Sequence, residues 1–330
     1  MNNRILNNAR LSVSELSLGT WAFSGAAVWG PCDETAAVDT VHCALDYGIN
    51  LIDTAEKYGN GMAEIVLGKA LAGKRHQAVV ASKPAAVHMH KEDIIKTCED
   101  SLKRLQTDYI DIYQIHWPNP SIPVDETYEG LEQLKKDGKI LAVGVCNHGE
   151  GALREKGNWE IVTDQLPYSL IWRVGEKHFT SDLKKREIAV WAYSPLSQGL
   201  LTGKYLSVGE VPLNRRTTRI YDSKWGAGRH TDSGYEGVVF PFLRKLNEMC
   251  TESGYTMTNV AMQFLKRKQI VASVLAGARN ISQLTQNIEA FEKPVADDFM
   301  EQVEKMSLDL KAHMGDNADL WENQNGGRIY

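Results

Sequence analysis

Four side chains able to move a proton stand at the ends of three short apolar runs. Asp53 closes Asn50-Leu-Ile-Asp53, and Tyr58 lies just beyond it. Lys83 follows Gln77-Ala-Val-Val-Ala-Ser82, and His116 follows Ile110-Asp-Ile-Tyr-Gln-Ile115. Taken singly, each has an ordinary reading: aspartate caps helices and lysine sits on surfaces. Together they make a proton-transfer set. A phenol loses its proton only near pH 10. An ammonium within hydrogen-bond reach favours the phenolate and is expected to bring that pKa down. A carboxylate beside the lysine keeps it charged in a dry pocket. An imidazole can donate to a carbonyl oxygen as negative charge builds there. The set would polarise a C=O and protonate its oxygen once hydride arrives.

The elements that must carry these residues follow an alternation. Short apolar runs end in small or polar residues, and a helical period follows each. Arg4–Leu6 and Leu11–Val13 flank Asn7-Asn8 and predict an N-terminal hairpin. Eight runs come next: Glu15–Gly19, Asn50–Asp53, Gln77–Ser82, Ile110–Ile115, Ala142–Cys146, Ile161–Gln165, Ile188–Tyr193 and Ile270–Ala276. Asp33 is placed to cap the first helix, and Gly138 to stop the one running from Asp125 to Asp137. The pattern predicts an α/β fold, a (β/α)8 TIM barrel forming one domain over residues 1–330. Such a barrel gathers its chemistry at the C-terminal ends of its strands. Ser197–Gly237 has no clear period and reads as a long loop after strand 7. The tail beyond about Leu310 is polar and Gly/Asn-rich, which predicts loose attachment.

A net charge of −5 gives no basic footprint for nucleic acid or an anionic membrane. No apolar stretch is long enough to span a bilayer. The 5 cysteines are scattered without a Cys-x-x-Cys, so neither a disulfide framework nor a zinc site is expected. His88-Met-His90 lacks a carboxylate or thiol at ligand spacing and reads as surface histidines, leaving no metal site. The opening residues show no leader pattern, so a reduced cytoplasmic setting is the expectation.

The stretch Asp53-Thr-Ala-Glu-Lys-Tyr58-Gly-Asn-Gly-Met-Ala-Glu64…Leu67-Gly68, then Ser82-Lys83, then Gln114-Ile-His116-Trp-Pro118, resembles the aldo-keto reductase superfamily. The similarity runs from about residue 3 to residue 292. It implies that Tyr58 is the general acid, that Lys83 and Asp53 tune it, and that His116 orients the carbonyl. It also implies a nicotinamide dinucleotide held without a Rossmann fold, and no run here is followed by Gly-x-Gly-x-x-Gly. By the same resemblance, Gly19-Thr20-Trp21 lies beneath the nicotinamide and Asn147 with Gln165 grips its carboxamide. The family's serine before that asparagine is Cys146 here. The resemblance further implies that Tyr193 stacks on the ring, that Ser194, Pro195, Leu196, Ser197, Gln198 and Lys204 wrap the pyrophosphate, and that Gly277, Arg279, Gln283, Gln286 and Asn287 meet the adenosine phosphate and adenine. A guanidinium near a helix N-terminus suits a 2′-phosphate, so Arg279 points to NADPH/NADP+ rather than NADH.

Trp21, Trp117 and Trp225, with Tyr58 and His116, are the candidate substrate walls, and Trp225 could belong to a lid. Trp172 and Trp191 read as packing. The partner expected is a small carbonyl compound: an aldehyde, ketone or keto-sugar. Two other readings stay open. A barrel lysine at a strand end also suits a Schiff-base aldolase using Lys83. Potassium-channel β subunits share the Gly19-Thr-Trp21 and Asp-Thr-Ala-Glu stretches, which suggests a nicotinamide-binding regulatory subunit. Those subunits carry asparagine where this chain has His116.

Overall fold

The structure, a computed structural model, describes residues 1–6, 9–179 and 181–330, without the side chains of residues 181, 182 and 325. The chain opens with an antiparallel hairpin of β1 (Asn3–Leu6) and β2 (Leu11–Ser14). The expected Asn7-Asn8 turn lies outside the described residues. The barrel follows as β3 (Leu16–Gly19), α1 (Glu34–Asp46), β4 (Leu51–Asp53), α2 (Met62–Ala70), β5 (Val79–Ser82), α3 (Lys91–Leu105), β6 (Ile110–Ile115) and α4 (Val124–Lys136). It continues with β7 (Ile140–Cys146), α5 (Glu150–Glu155), β8 (Thr163–Pro167), α6 (Ser181–Lys185) and β9 (Ala189–Tyr193). After the insertion come α7 (Glu236–Glu252), α8 (Met257–Lys266), β10 (Val271–Gly277), α9 (Ile281–Glu292) and α10 (Asp297–Lys311). Strands β3 to β10 close into one parallel barrel, β10 pairing with β3.

Local chemistry explains the elements. The Asp33 carboxylate accepts from the Ala36 amide and caps α1, an interaction worth about 1 kcal/mol. Gly138 takes φ +72° one residue past the C-cap of α4, as anticipated. The sixth strand is displaced by two residues from its expected span, because Ile161 and Val162 serve as its entry and Leu166-Pro167 extend it. The insertion holds only short 3-10 turns up to α7.

Strand parity builds the interior. Leu51, Val79, Ala81, Ile112, Ala142, Trp191 and Leu275 pack inside the barrel with Leu6 and Val13 of the hairpin, which plugs its floor. Two residues further along, one layer higher, stand Asp53, Lys83, Gln114 and Tyr193, and Gln165 of β8 joins them through Asp53. Trp172 and Trp191 are fully buried packing residues.

The tail corrects one expectation. Residues 312–330 fold back onto the barrel mouth instead of hanging loose. Asp319, fully buried, accepts from the amides of Trp321 and Glu322 and from the Arg328 guanidinium. Arg219 donates to the carbonyls of Asn317 and Asp319, and the Trp172 indole to that of Ala318. Polar residues of the tail are used in hydrogen bonds within the tail and to the barrel side.

Candidate functional site

Lys83 is the centre of the site. Its side chain is fully buried, and its ammonium donates to Asp53 Oδ2 at 2.7 Å, to the Thr54 carbonyl at 2.8 Å and to Tyr58 Oη at 3.3 Å. Those three acceptors use all its N–H donors. Asp53 Oδ1 accepts from Gln165 Nε2 at 2.8 Å. Gln165 is held in turn by Gln114 Oε1 at 3.4 Å, and Gln114 reaches Thr163 and the Val145 carbonyl. Gly144 makes room for this chain: a Cβ there would stand 2.8 Å from Gln114 Cγ and 2.4 Å from Thr163 Oγ1. Thr20 donates through both its amide and its hydroxyl to the Asp53 carbonyl.

The Tyr58 loop is set by its neighbouring glycine. Gly59 takes φ +64°, and a Cβ there would meet the Ser24 carbonyl oxygen at 2.3 Å. Tyr58 therefore rests on the turn Trp21–Ser24, its ring stacked near Trp21 at 6.2 Å and edge-on to His116 at 5.9 Å. The His116 imidazole makes no hydrogen bond among the described residues, and its carbonyl accepts from Asn147 Nδ2 at 3.0 Å. The four candidate catalytic residues are brought together.

The electrostatics differ from the expectation in one respect. Burial raises the Tyr58 pKa, Lys83 opposes it, and the phenol is pushed up to about 12. The ammonium moderates the shift without reversing it, because removing a phenolate from water costs more than one hydrogen-bonded cation returns. Tyr58 is thus a firmly protonated phenol. Burial pulls Lys83 down, but the Asp53 carboxylate more than offsets it and holds the lysine above its ordinary value. Burial, with Lys83 second, holds His116 well below the usual imidazole range, so it is neutral.

Around this centre the candidate cofactor residues form a rim. Gly19 and Gly277 are paired across β3 and β10, and a Cβ at either would meet a backbone carbonyl oxygen at 3.8–3.9 Å, an ordinary van der Waals contact. Tyr193 Oη donates to Asn147 Oδ1 at 2.9 Å. Cys146 is a buried thiol whose pKa burial raises far above normal. Ser194, Ser197 and Gln198 all take positive φ, with Gly199 at +100°. Strain of this kind collects at binding loops, and such runs turn amides towards an anion. Pro195 is buried and Leu196 packs on the core. Ser197 shares its hydroxyl with Ser169. Both polar atoms of the Gln198 side chain are buried and without a partner. Lys204 and Arg215 lie close enough to depress the lysine pKa, after burial, and neither has a carboxylate partner among the described residues. An orphaned carboxamide beside two unpaired cations fits a polyanionic group. Arg279, also without an ion-pair partner among the described residues, donates to the Pro31 carbonyl at 3.2 Å. With Cys32, Asp33, Asn280 and Gln283 it lines a cleft of about 270 Å³. Gln283 Oε1 accepts from the Arg279 amide, Asn287 braces the Gly277 carbonyl, and Gln286 is exposed.

Of the candidate walls, Trp21 and Trp117 stand at the mouth, and Arg328 of the tail lies 3.5 Å over the Trp117 ring. Trp225 is engaged within the insertion, where its indole donates to Glu236 and Arg216 covers its ring. His88 and His90 turn to different glutamates, Glu56 and Glu126. Among the described residues no group of three or more potential ligands could hold a metal, and no helix is long and apolar enough to cross a membrane. Gln114, Arg215, Trp321 and Arg328 join the residues that the sequence singles out, and the sequence marks Gln114 as a polar residue of inward parity in an apolar run.

A chain of this sequence is similar to well-described proteins. Aldo-keto reductase YhdN of Bacillus subtilis is 36% identical, over 83% of this chain and 84% of its own. The NADH-specific methylglyoxal reductase of Escherichia coli is 31% identical, over 88% and 94%. An aldo-keto reductase from Klebsiella pneumoniae, solved in complex with NADPH, superposes with a TM-score of 0.73 at 26% identity, over 93% and 95%. The model of the aldo/keto reductase family matches residues 15–308, a span that holds the barrel and all four proton-transfer residues, and the chain belongs to that family of oxidoreductases.

Proposed function

We propose that the protein is an NADPH-dependent reductase interconverting a small carbonyl compound and its alcohol, with Tyr58 as general acid. The single observation behind this is the Asp53–Lys83–Tyr58 chain, in which a buried ammonium touches a phenol held at the barrel mouth. The nicotinamide, when bound, supplies the hydride. Tyr193, Asn147 and Gln165 would hold its ring and carboxamide, with Gly19, Thr20 and Trp21 beneath. The loop Ser194–Gln198 with Lys204 and Arg215 would hold the pyrophosphate. Gly277, Arg279, Gln283, Gln286 and Asn287 would hold the adenosine end.

The chain's own residues do the rest. Neutral His116 donates a hydrogen bond to the carbonyl oxygen and fixes its direction towards Tyr58. Tyr58 gives its proton to that oxygen as negative charge develops. The resulting phenolate is stabilised by Lys83 Nζ, whose charge Asp53 secures. Trp21 and Trp117 exclude water and shape an apolar opening for the substrate. The reverse direction returns the proton to Tyr58.

The Schiff-base reading asks for a neutral, accessible amine. Lys83 is charged, buried and fully hydrogen-bonded, which argues against it. The free His116 imidazole favours turnover over a purely regulatory role. The test is a panel of aldehydes, ketones and keto-sugars monitored by loss of NADPH or NADH absorbance. Tyr58→Phe should lower kcat by roughly 10²- to 10⁴-fold and leave cofactor affinity nearly unchanged. Undiminished turnover in that variant would remove Tyr58 from the mechanism.

A further inference from the structure

The tail reaches the site through one indole. Trp321 Nε1 donates to Tyr193 Oη at 3.2 Å, and Tyr193 Oη donates onward to Asn147 Oδ1 at 2.9 Å. Asn147 Nδ2 in turn donates to the His116 carbonyl at 3.0 Å. The other face of Trp321 meets Trp21 edge-on, at 5.7 Å between centroids. The indole therefore touches both the aromatic ring that the nicotinamide would stack on and the wall beside Tyr58. Its position is not left to the tail's own stiffness. Asp319 accepts from the Trp321 amide at 2.9 Å, Arg328 clamps Asp319 and lies on Trp117, and Arg219 joins the tail to Asp232.

We propose that Trp321 is a positioning residue for the dinucleotide: it fixes the Tyr193 ring and, through it, Asn147, so that seating of the tail and binding of the nicotinamide reinforce each other. This rests on the reading that a nicotinamide binds against Tyr193 and Asn147. The bonding leaves room for it. Asn147 keeps one acceptor site and one N–H unused, enough for a carboxamide. Tyr193, anchored through its hydroxyl at both sides, loses less freedom when a ring stacks on it. Coupling of this sort is reciprocal, so whatever the seated tail adds to cofactor affinity the cofactor returns to the tail. A Trp321 that served only as packing would tolerate phenylalanine, which keeps an aromatic face on Trp21.

The experiment measures dissociation constants for NADPH by calorimetry on the full chain and its Trp321→Phe, Tyr193→Phe and double variants. Loss of one neutral hydrogen bond should weaken NADPH binding roughly 3- to 10-fold in Trp321→Phe. The pH dependence of kcat should stay as in wild type, since Asp53, Tyr58 and Lys83 are untouched. The double variant should bind no worse than Tyr193→Phe alone, because one chain is being broken twice. In the wild-type protein, amide exchange across residues 317–330 should slow when NADPH is added, a reading that needs no variant to fold. Wild-type affinity in Trp321→Phe, multiplying effects in the double variant, or tail exchange indifferent to NADPH overturns the proposal while the reductase reading stands. A wild-type protein that binds neither NADPH nor NADH overturns that reading and this one with it.

Discussion

Removing the Lys83 ammonium should cost the protein both stability and catalysis, and the two losses can be separated. The pair is buried, with Lys83 fully enclosed and Asp53 2% exposed. At 2.7 Å and an effective dielectric constant of about 20, their attraction is about 6 kcal/mol. Desolvation of both ions opposes it, so the pair contributes far less net stability than that figure. Breaking it is a different matter. Lys83→Met strands Asp53 with Gln165 as its remaining partner, and Asp53→Asn strands a buried ammonium. Each single variant should lose about 3–5 kcal/mol. The double variant Asp53→Asn/Lys83→Met removes both charges, strands neither, and should lose less than either single variant, far short of the sum of the two. The assay is urea unfolding at pH 7, followed by tryptophan fluorescence and analysed as a double-mutant cycle. Carbonyl reduction should stay depressed by at least about a hundredfold in all three variants, since the phenolate loses its stabilising cation where Lys83 is replaced and that cation loses the carboxylate that secures its charge and place where only Asp53 is. Costs that add within about 0.5 kcal/mol would mean the two charges do not depend on each other, and the account of the site would be wrong.

Three other outcomes follow from particular contacts. Because Tyr58 is pushed up to about 12 and His116 sits well below its usual range, carbonyl reduction should be level from about pH 6 to pH 10, whereas alcohol oxidation, which needs the phenolate, should climb about tenfold per pH unit; a reduction rate falling between pH 7 and 9 would contradict this. Arg279→Ala should weaken NADPH roughly 10- to 100-fold and leave NADH nearly unchanged in paired binding titrations, and equal losses would remove the 2′-phosphate contact. Gly68→Ala should destabilise the fold by about 1–3 kcal/mol, because the new Cβ would stand 2.6 Å from the Arg104 carbonyl oxygen where α2 backs onto α3; an unchanged urea midpoint would show that the helices can part.

Much of the fold is legible in the sequence because two periods are printed in it. Alternation along the strands sorts Leu51 from Ile52 and puts Asp53 on the same side as Leu51, so a plugged floor and a polar upper layer come from one rule. The proton-transfer residues are legible for the same reason. Long-range chemistry is harder to see. Asp319 and Arg328 are unremarkable in a polar tail until their pairing and the Arg219 contacts exist. The sense of the Tyr58 shift depends on weighing burial against one cation, and a sequence states who the neighbours are but not how much water they displace. Helices α8 and α10 carry apolar stripes in the sequence, Val260 with Phe264 and Phe299 with Val303. Pro241 interrupts the pattern of α7 and hides that helix.

The seated tail has a practical corollary. The Tyr330 carbonyl accepts from the Ala152 amide, and a Cβ on Gly149 would meet that carbonyl oxygen at 2.3 Å, so the last residues lie flush against the barrel. A purification tag or fluorescent reporter appended after Tyr330 would pull on the segment that carries Trp321. One joined ahead of the hairpin would emerge from the opposite end of the barrel and leave the catalytic face undisturbed.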